Sequence, residues 1–293
     1  MNRKRTAAAA FFATSLSILL VGCGAPVMIP APPPLDRQEI ISIVNQRASQ
    51  LRTLKANLSI KVKTAQMKGP ETLSAYFAAA SPDKLRLRAN HALVGYSVLD
   101  IGSDGAQWWV AVHFQETNRV DYGSLADLAA QPGGELPIRP DQVVAALGMA
   151  TLTEAPDRYW MFTKPPGEYV LQEVVNSRPT RYVATQIVLD GKTQLMRRFE
   201  TVGPTGRVET RATMEDYVAV AGIPIAQKVV IYWWDKDQLN TMEFKFQDIQ
   251  VNGELPGKVF EQPSFQDIPV RVPHPIEPSP RAAATQAMPG IAG

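Results

Sequence analysis

Residues 36–63 read DRQEIISIVNQRASQLRTLKANLSIKVK, and the apolar period changes within them. Ile40, Ile41, Val44, Ala48, Leu51 and Leu54 recur at helical spacing, which predicts an amphipathic helix of about five turns. Asp36, with Glu39 three residues on, has the form of a capping box at its start. Beyond Lys55 the period becomes two. Leu58, Ile60 and Val62 alternate with Ser59, Lys61 and Lys63, the pattern of a half-buried strand.

The alternation continues outward. Strands are expected at Leu73–Ala80, Lys84–Ala89, Tyr96–Ile101 and Gln107–Phe114, with a hairpin turn at Ser103-Asp104-Gly105. Short helices fit Ser124–Ala130 and Asp141–Leu147, the second capped by Asp141 after Pro140. Strands resume at Arg158–Thr163, Tyr169–Val175, Tyr182–Leu189, Thr193–Thr201, Val208–Val218, Ile225–Trp234 and Leu239–Val251. The economical solution is a mainly β (α+β) fold. It has about eleven strands in one highly curved antiparallel sheet, with a leading helix and short helices as a lid.

Both ends differ from this core. Arg3, Lys4 and Arg5 precede an uncharged apolar stretch, 6–22, that is short for a membrane span and has the form of an export signal. Leu20-Val21-Gly22-Cys23 resembles the bacterial lipobox, which implies acylation of Cys23 and a lipid-anchored mature chain. The rival reading is an ordinary secretory signal with an incidental cysteine. Each buried methylene contributes about 0.8 kcal/mol, so several acyl chains hold a protein on a bilayer nearly permanently. With no acidic residue at Gly24 or Ala25, an enteric-type sorting habit would send it to the outer membrane, facing the periplasm. Five prolines among residues 24–35 favour an extended stalk. Seven prolines among residues 263–293 predict a disordered tail, with a peptidoglycan or partner contact as the alternative. The expected organisation is a signal peptide at 1–22, acylated cysteine and linker at 23–35, a folded domain at 36–262 and a tail at 263–293.

Charge narrows the function classes. The 30 Lys+Arg and 28 Asp+Glu nearly balance, and loss of the leader's three cations leaves 27 against 28. That excludes a broadly basic nucleic-acid binder. One cysteine excludes an internal disulfide and a Cys-rich zinc site. No Gly-x-Ser-x-Gly elbow, His-Glu-x-x-His or phosphate-binding glycine loop occurs, and His91, His113 and His274 lie in separate segments. Asp100, Asp104, Asp190 and Asp235-Lys-Asp237 read as turn formers rather than calcium ligands. Neither an enzyme nor a resident cofactor or metal is expected.

The closing stretch is the most specific part. Phe244-Lys-Phe246-Gln-Asp248-Ile249-Gln-Val251-Asn252, then Leu255-Pro256 and Val259-Phe260, is similar to the end of the LolA/LolB lipoprotein-carrier family. The leading helix, Ser81-Pro82-Asp83-Lys84-Leu85-Arg86, Asp104-Gly105 before Trp108-Trp109, and Gly222-Ile223-Pro224 fit the same family. The resemblance implies an unclosed half-barrel whose lidded concave face holds acyl chains. In LolB-like receptors an apolar residue protrudes between the third and fourth strands. Leu93, with Val94 beside it, falls at that position here; the alternative is a packed hydrophobic corner.

Strands apolar on both faces need cover on both sides. Trp108, Val110, Val112 and Phe114 share one face of their strand, and Trp109, Ala111 and His113 the other. Trp160 and Phe162, and Trp233 and Trp234, lie on two further strands. Trp108, Trp109, Phe114, Trp160, Phe162, Trp233 and Trp234 are thus candidates, with Leu93 and Val94, to line a ligand cavity or to meet an envelope protein. The plainer alternative for any of these aromatics is core filling.

Overall fold

The computed structural model describes residues 35–91, 97–114, 117–126, 139–153, 155, 158–165, 167–177, 180–235, 237–264 and 270–271. Cys23, the leader, the stalk as far as residue 34, and Leu93 and Val94 lie outside them. Asp36–Gly293 clusters as a compact unit separate from Met1–Leu35.

The leading helix, α1 (Arg37–Gln50), starts as the motif predicts. The Glu39 amide donates to Asp36 Oδ1 at 2.8 Å, and the Asp36 amide donates to Glu39 Oε2 at 2.7 Å. Ile40, Ile41, Val44 and Ala48 are buried. The helix stops four residues short of the expected Leu54. Asn252, far along the chain, accepts from the Arg52 amide at 2.8 Å and donates to the Gln50 carbonyl at 2.8 Å. Those bonds satisfy orphan groups at the helix end and turn the chain into the sheet.

Two meanders build that sheet. The first runs β1 (Thr53–Lys63), β2 (Glu71–Ala80), β3 (Lys84–His91), β4 (Ser97–Asp104), β5 (Gln107–Phe114) and β6 (Thr117–Ser124). The second runs β7 (Tyr159–Lys164), β8 (Glu168–Ser177), β9 (Thr180–Asp190), β10 (Met196–Val202), β11 (Val208–Val220), β12 (Ile223–Asp235) and β13 (Gln238–Val251). β1 and β13 pair antiparallel, Leu58 opposite Phe246 and Ile60 opposite Phe244, and join the halves. A two-residue strand, β14 (Val270–Arg271), pairs parallel with β6. The order β14-β6-β5-β4-β3-β2-β1-β13-β12-β11-β10-β9-β8-β7 never pairs its ends, so the curved sheet is an unclosed half-barrel.

Several expectations need correction. The described residues hold fourteen strands rather than about eleven. β6 escaped because its charges point inward: Asp121 lies opposite Val110 and Arg119 opposite Val112 on the concave face, with Arg119 Nε 3.0 Å from Asp121 Oδ2. β14 falls within the stretch expected to be a disordered tail. The second short helix, α2 (Pro140–Ala146), has Arg139 rather than Asp141 at its cap, with no side-chain cap bond. Of the expected helix at 124–130, Ser124 ends β6, 125–126 are helical and 127–130 lie outside the described residues. Asp104 and Asp190 do form turns. The Asp104 carboxylate accepts from the Ala106 and Gln107 amides, and Gly105 takes φ 97°. Asp100 does not: it is buried mid-strand in β4.

Candidate ligand-binding face

Strand pairing assigns each side chain to a face. On the concave side, Phe77, Leu87, Ile101 and Val110 run across β2, β3, β4 and β5 in register. Phe246, Phe244, Val229 and Ile231 continue the surface over β13 and β12. The Phe77 and Phe246 rings meet edge to face with centroids 5.5 Å apart. Phe244 and Phe246 belong to the closing motif; for the others the signal was the period-two alternation alone.

The two helices cover this surface. Val143, Ala146 and Leu147, on and just after α2, face Phe77, Leu85, Leu87, Ile101, Phe244 and Phe246 around a cavity of about 20 Å³. A second space of about 20 Å³ lies between α2 and Phe199, Ala212 and Ile231. A third, of about 50 Å³, separates Val44, Arg47 and Leu51 of the leading segment from Leu189, Met196 and Tyr217. About 10–15 Å³ accommodates one water, whereas small-molecule sites span roughly 300–1,000 Å³. The open hollow expected from the sequence is therefore filled, among the described residues, by the cover itself.

Polar ties fix that cover at its edges. Arg47 donates to the Thr193 carbonyl at 2.8 Å and to the Gln194 carbonyl. Asn45 accepts from the Leu152 amide at 2.6 Å and donates to the Leu152 carbonyl at 3.0 Å. The Tyr217 hydroxyl donates to the Met196 carbonyl at 2.6 Å, and burial pushes its pKa well above the ordinary phenol value. Arg139 is bound bidentate by Asp141. It also faces Glu209, whose pKa is raised chiefly by burial and partly lowered again by that guanidinium.

The convex face is built differently on its two sides. Over β3–β5 it is sealed. Trp109, fully buried, lies flat on Gly102 and donates from Nε1 to Asp100 Oδ1 at 3.0 Å. Arg86 stacks 5.2 Å from the Trp109 ring centroid, reaches Asp100 Oδ2 at 2.6 Å and donates to the Glu261 carbonyl at 2.8 Å. That last bond holds the chain after the 3-10 turn Gly257–Phe260, with Phe260 buried, against the sheet. Over β8–β11 the face is polar. Gln172 donates to Gln186, Gln186 donates to Glu200, and Arg211 donates to Glu200, each at 2.6–2.8 Å.

The aromatic candidates separate accordingly. Trp108 is on the concave face, 3% exposed, with its indole against Gly123. Trp233, half-buried, shares that face with Ile231 and stands opposite Thr210. Trp109 and Trp234 are on the convex face, the latter beneath the Arg211 guanidinium at 5.9 Å. Trp160 and Phe162 lie on β7, 52% and 46% exposed. Phe114 pairs through its backbone with Thr117, and its side chain lies outside the described residues. The seven aromatics thus form no single site. Among the described residues no helix is long and apolar enough to cross a membrane, and no three His, Cys, Asp or Glu are grouped for a metal.

No protein-family model and no curated protein sequence matches the chain. Solved structures do. A domain from Vibrio parahaemolyticus, described as an outer membrane lipoprotein-sorting protein, matches with 12% identity and TM-score 0.51, covering 76% of this chain and 95% of its own. A LolA superfamily protein from Nitrosomonas europaea matches with 12% identity and TM-score 0.49, covering 76% and 97%. The likeness is one of fold: the chain shares the architecture of that lipoprotein-sorting domain.

Proposed function

We propose that the protein is a lipid-anchored cell-envelope protein that binds a hydrophobic ligand, the acyl chains of lipoproteins or lipid, in its half-barrel and serves lipoprotein localisation without catalysis. On this reading residues 1–22 are removed, Cys23 is acylated, residues 23–35 form the linker and residues 36–262 the binding domain. The anchor would hold it to the outer membrane on the periplasmic side.

The observation that carries the reading is the apolar concave sheet beneath a short helix that meets it through Val143, Ala146 and Leu147. Such a contact is chemically equivalent to one with a methylene chain, so an acyl chain can take α2's place. Displacement is required because the cavities among the described residues are far too small. Affinity then comes from apolar area at about 25 cal/mol per Å², less the cost of lifting the cover. Displacement of a fluorescent fatty acid from the purified chain tests this. Saturable uptake supports it, and no uptake even after truncation of the covering side chains refutes it. Loss of labelled-palmitate incorporation in Cys23→Ser tests the anchor.

The filled interior favours a second reading, an envelope sensor or structural interaction protein on the same fold. Cross-linking from residue 93 separates the two: acylated lipoproteins as adducts support transport, and one folded partner supports sensing.

A further inference from the structure

The two edges of the sheet are finished differently. At one, β14 lies along β6. At the other, β7 ends the sheet, and it carries two of the three large apolar side chains exposed among the described residues, Trp160 and Phe162. In the strand they share one face with Lys164, and Arg158 stands immediately before β7. Arg181, from β9, stacks over the Trp160 ring at 4.9 Å. Unprotected, apolar edge strands are normally blunted, because they invite association.

Charge and the position of the tether identify what this edge meets. Arg37, Arg158, Lys164 and Arg181 surround β7, against the acids Glu168, opposite Lys164, and Glu173, which Arg158 binds at 2.5 Å. Among the described residues, these four cations and two acids leave the patch positive. The first described residue is Leu35, and Arg37, two residues along, donates to the carbonyl of Tyr159, the first residue of β7, at 3.1 Å. A chain held through Cys23 is therefore tethered at this edge. Residues 23–34 reach about 37 Å when extended as polyproline II, at about 3.1 Å per residue. Exposed aromatics mixed with cations match a bilayer interface, where indoles favour the headgroup level and cations are drawn to anionic lipid.

We propose that the outer face of β7, formed by Trp160 and Phe162 with Lys164 and Arg181, and flanked by Arg158, is a membrane-docking surface that rests this edge on a phospholipid bilayer carrying anionic headgroups. The proposal rests on the lipid-anchor reading and adds orientation to it. Docking at β7 would fix the half-barrel at a set angle to the membrane instead of leaving it to swing on its stalk.

The test uses residues 24–293, which keep the compact unit and lack leader and anchor, with vesicles of phosphatidylcholine alone or mixed with phosphatidylglycerol. The chain is expected to co-sediment with the mixed vesicles, less so as salt rises, with a blue shift of tryptophan emission. Combined Trp160→Ala and Phe162→Ala should weaken binding about tenfold or more. Combined Lys164→Gln and Arg181→Gln, exposed changes that leave the core intact, should remove the preference for anionic vesicles. Equal binding by all variants, no binding to either vesicle, or self-association that the aromatic substitutions abolish would overturn the proposal. Fatty-acid displacement that persists without vesicle binding would leave the half-barrel reading standing and remove only the docking surface.

Discussion

The Cα of Gly102 lies directly beneath the indole of Trp109, so close that a methyl group there would stand 2.0 Å from Cζ2. The ring cannot retreat, because Nε1 is bound to Asp100 and Arg86 covers its other side. Gly102→Ala should therefore cost at least the 1–3 kcal/mol typical of overpacking. Gly123→Ala, whose methyl would meet Trp108 Nε1 at 3.2 Å, should cost less. Urea unfolding of the two variants gives the comparison, and equal losses would contradict the packing described.

Asp100 is the acceptor on which the convex cluster depends. Its two oxygens take Arg86 and Trp109, and both carboxylate and guanidinium are nearly buried. Asp100→Ala leaves a buried cation without its counter-ion and an indole N–H without its acceptor, a change of about 3–5 kcal/mol. Asp100→Asn, which keeps an acceptor oxygen, should cost less. Because Arg86 also holds the Glu261 carbonyl, proteolysis after residue 261 should quicken in the alanine variant.

The same cluster shows why the sequence was only partly legible. Alternation located most strands because it reports one buried face directly, and Asp104-Gly105 announced its turn. β6 was invisible because Arg119 and Asp121 occupy inward positions as a pair, and Gly123 leaves room for Trp108. Asp100 read as a turn residue because its partner, Arg86, is fourteen residues upstream on the neighbouring strand. Which of Trp108 and Trp109 faces the concavity follows from the register with β4, which sets Trp109 against Gly102 and Trp108 against Ser103. No local pattern encodes that. Nor does any local pattern show that α2 would fill the hollow it was expected to lid.

Two carboxylates should move stability with pH in opposite directions. Asp190 accepts from the Thr193 amide, Arg197, the Thr193 hydroxyl and the Lys192 amide, which hold its pKa well below the ordinary carboxylate value. Its contribution is present above the unfolded value near 3.8 and is lost as pH falls through the folded one. Asp190→Asn should flatten the acid limb of stability and loosen the turn whose carbonyls bind Arg47. Glu209 is the reverse case. Burial raises its pKa, so its contribution is present below the unfolded value near 4.5 and disappears as pH rises through the folded value. Glu209→Gln should stabilise the protein at neutral pH. Unfolding midpoints across the acid range separate the two signs.

Ligand uptake should respond to the cover in a direction that core filling alone does not predict. Leu147 and Val143 project from the α2 segment onto Leu85, Leu87 and Phe246. If they occupy the place of an acyl chain, Leu147→Ala and Val143→Ala weaken the competitor without removing any concave-face residue. Stability should then fall by about 1–4 kcal/mol, while fluorescent fatty-acid binding rises severalfold, because less of the binding energy is spent on displacement. Leu87→Ala, on the sheet beneath, should lower both stability and binding, since it removes surface that either occupant uses. A parallel loss of binding in the lid and sheet variants would mean that α2 is part of an indivisible core. The apolar interior would then be packing and nothing more.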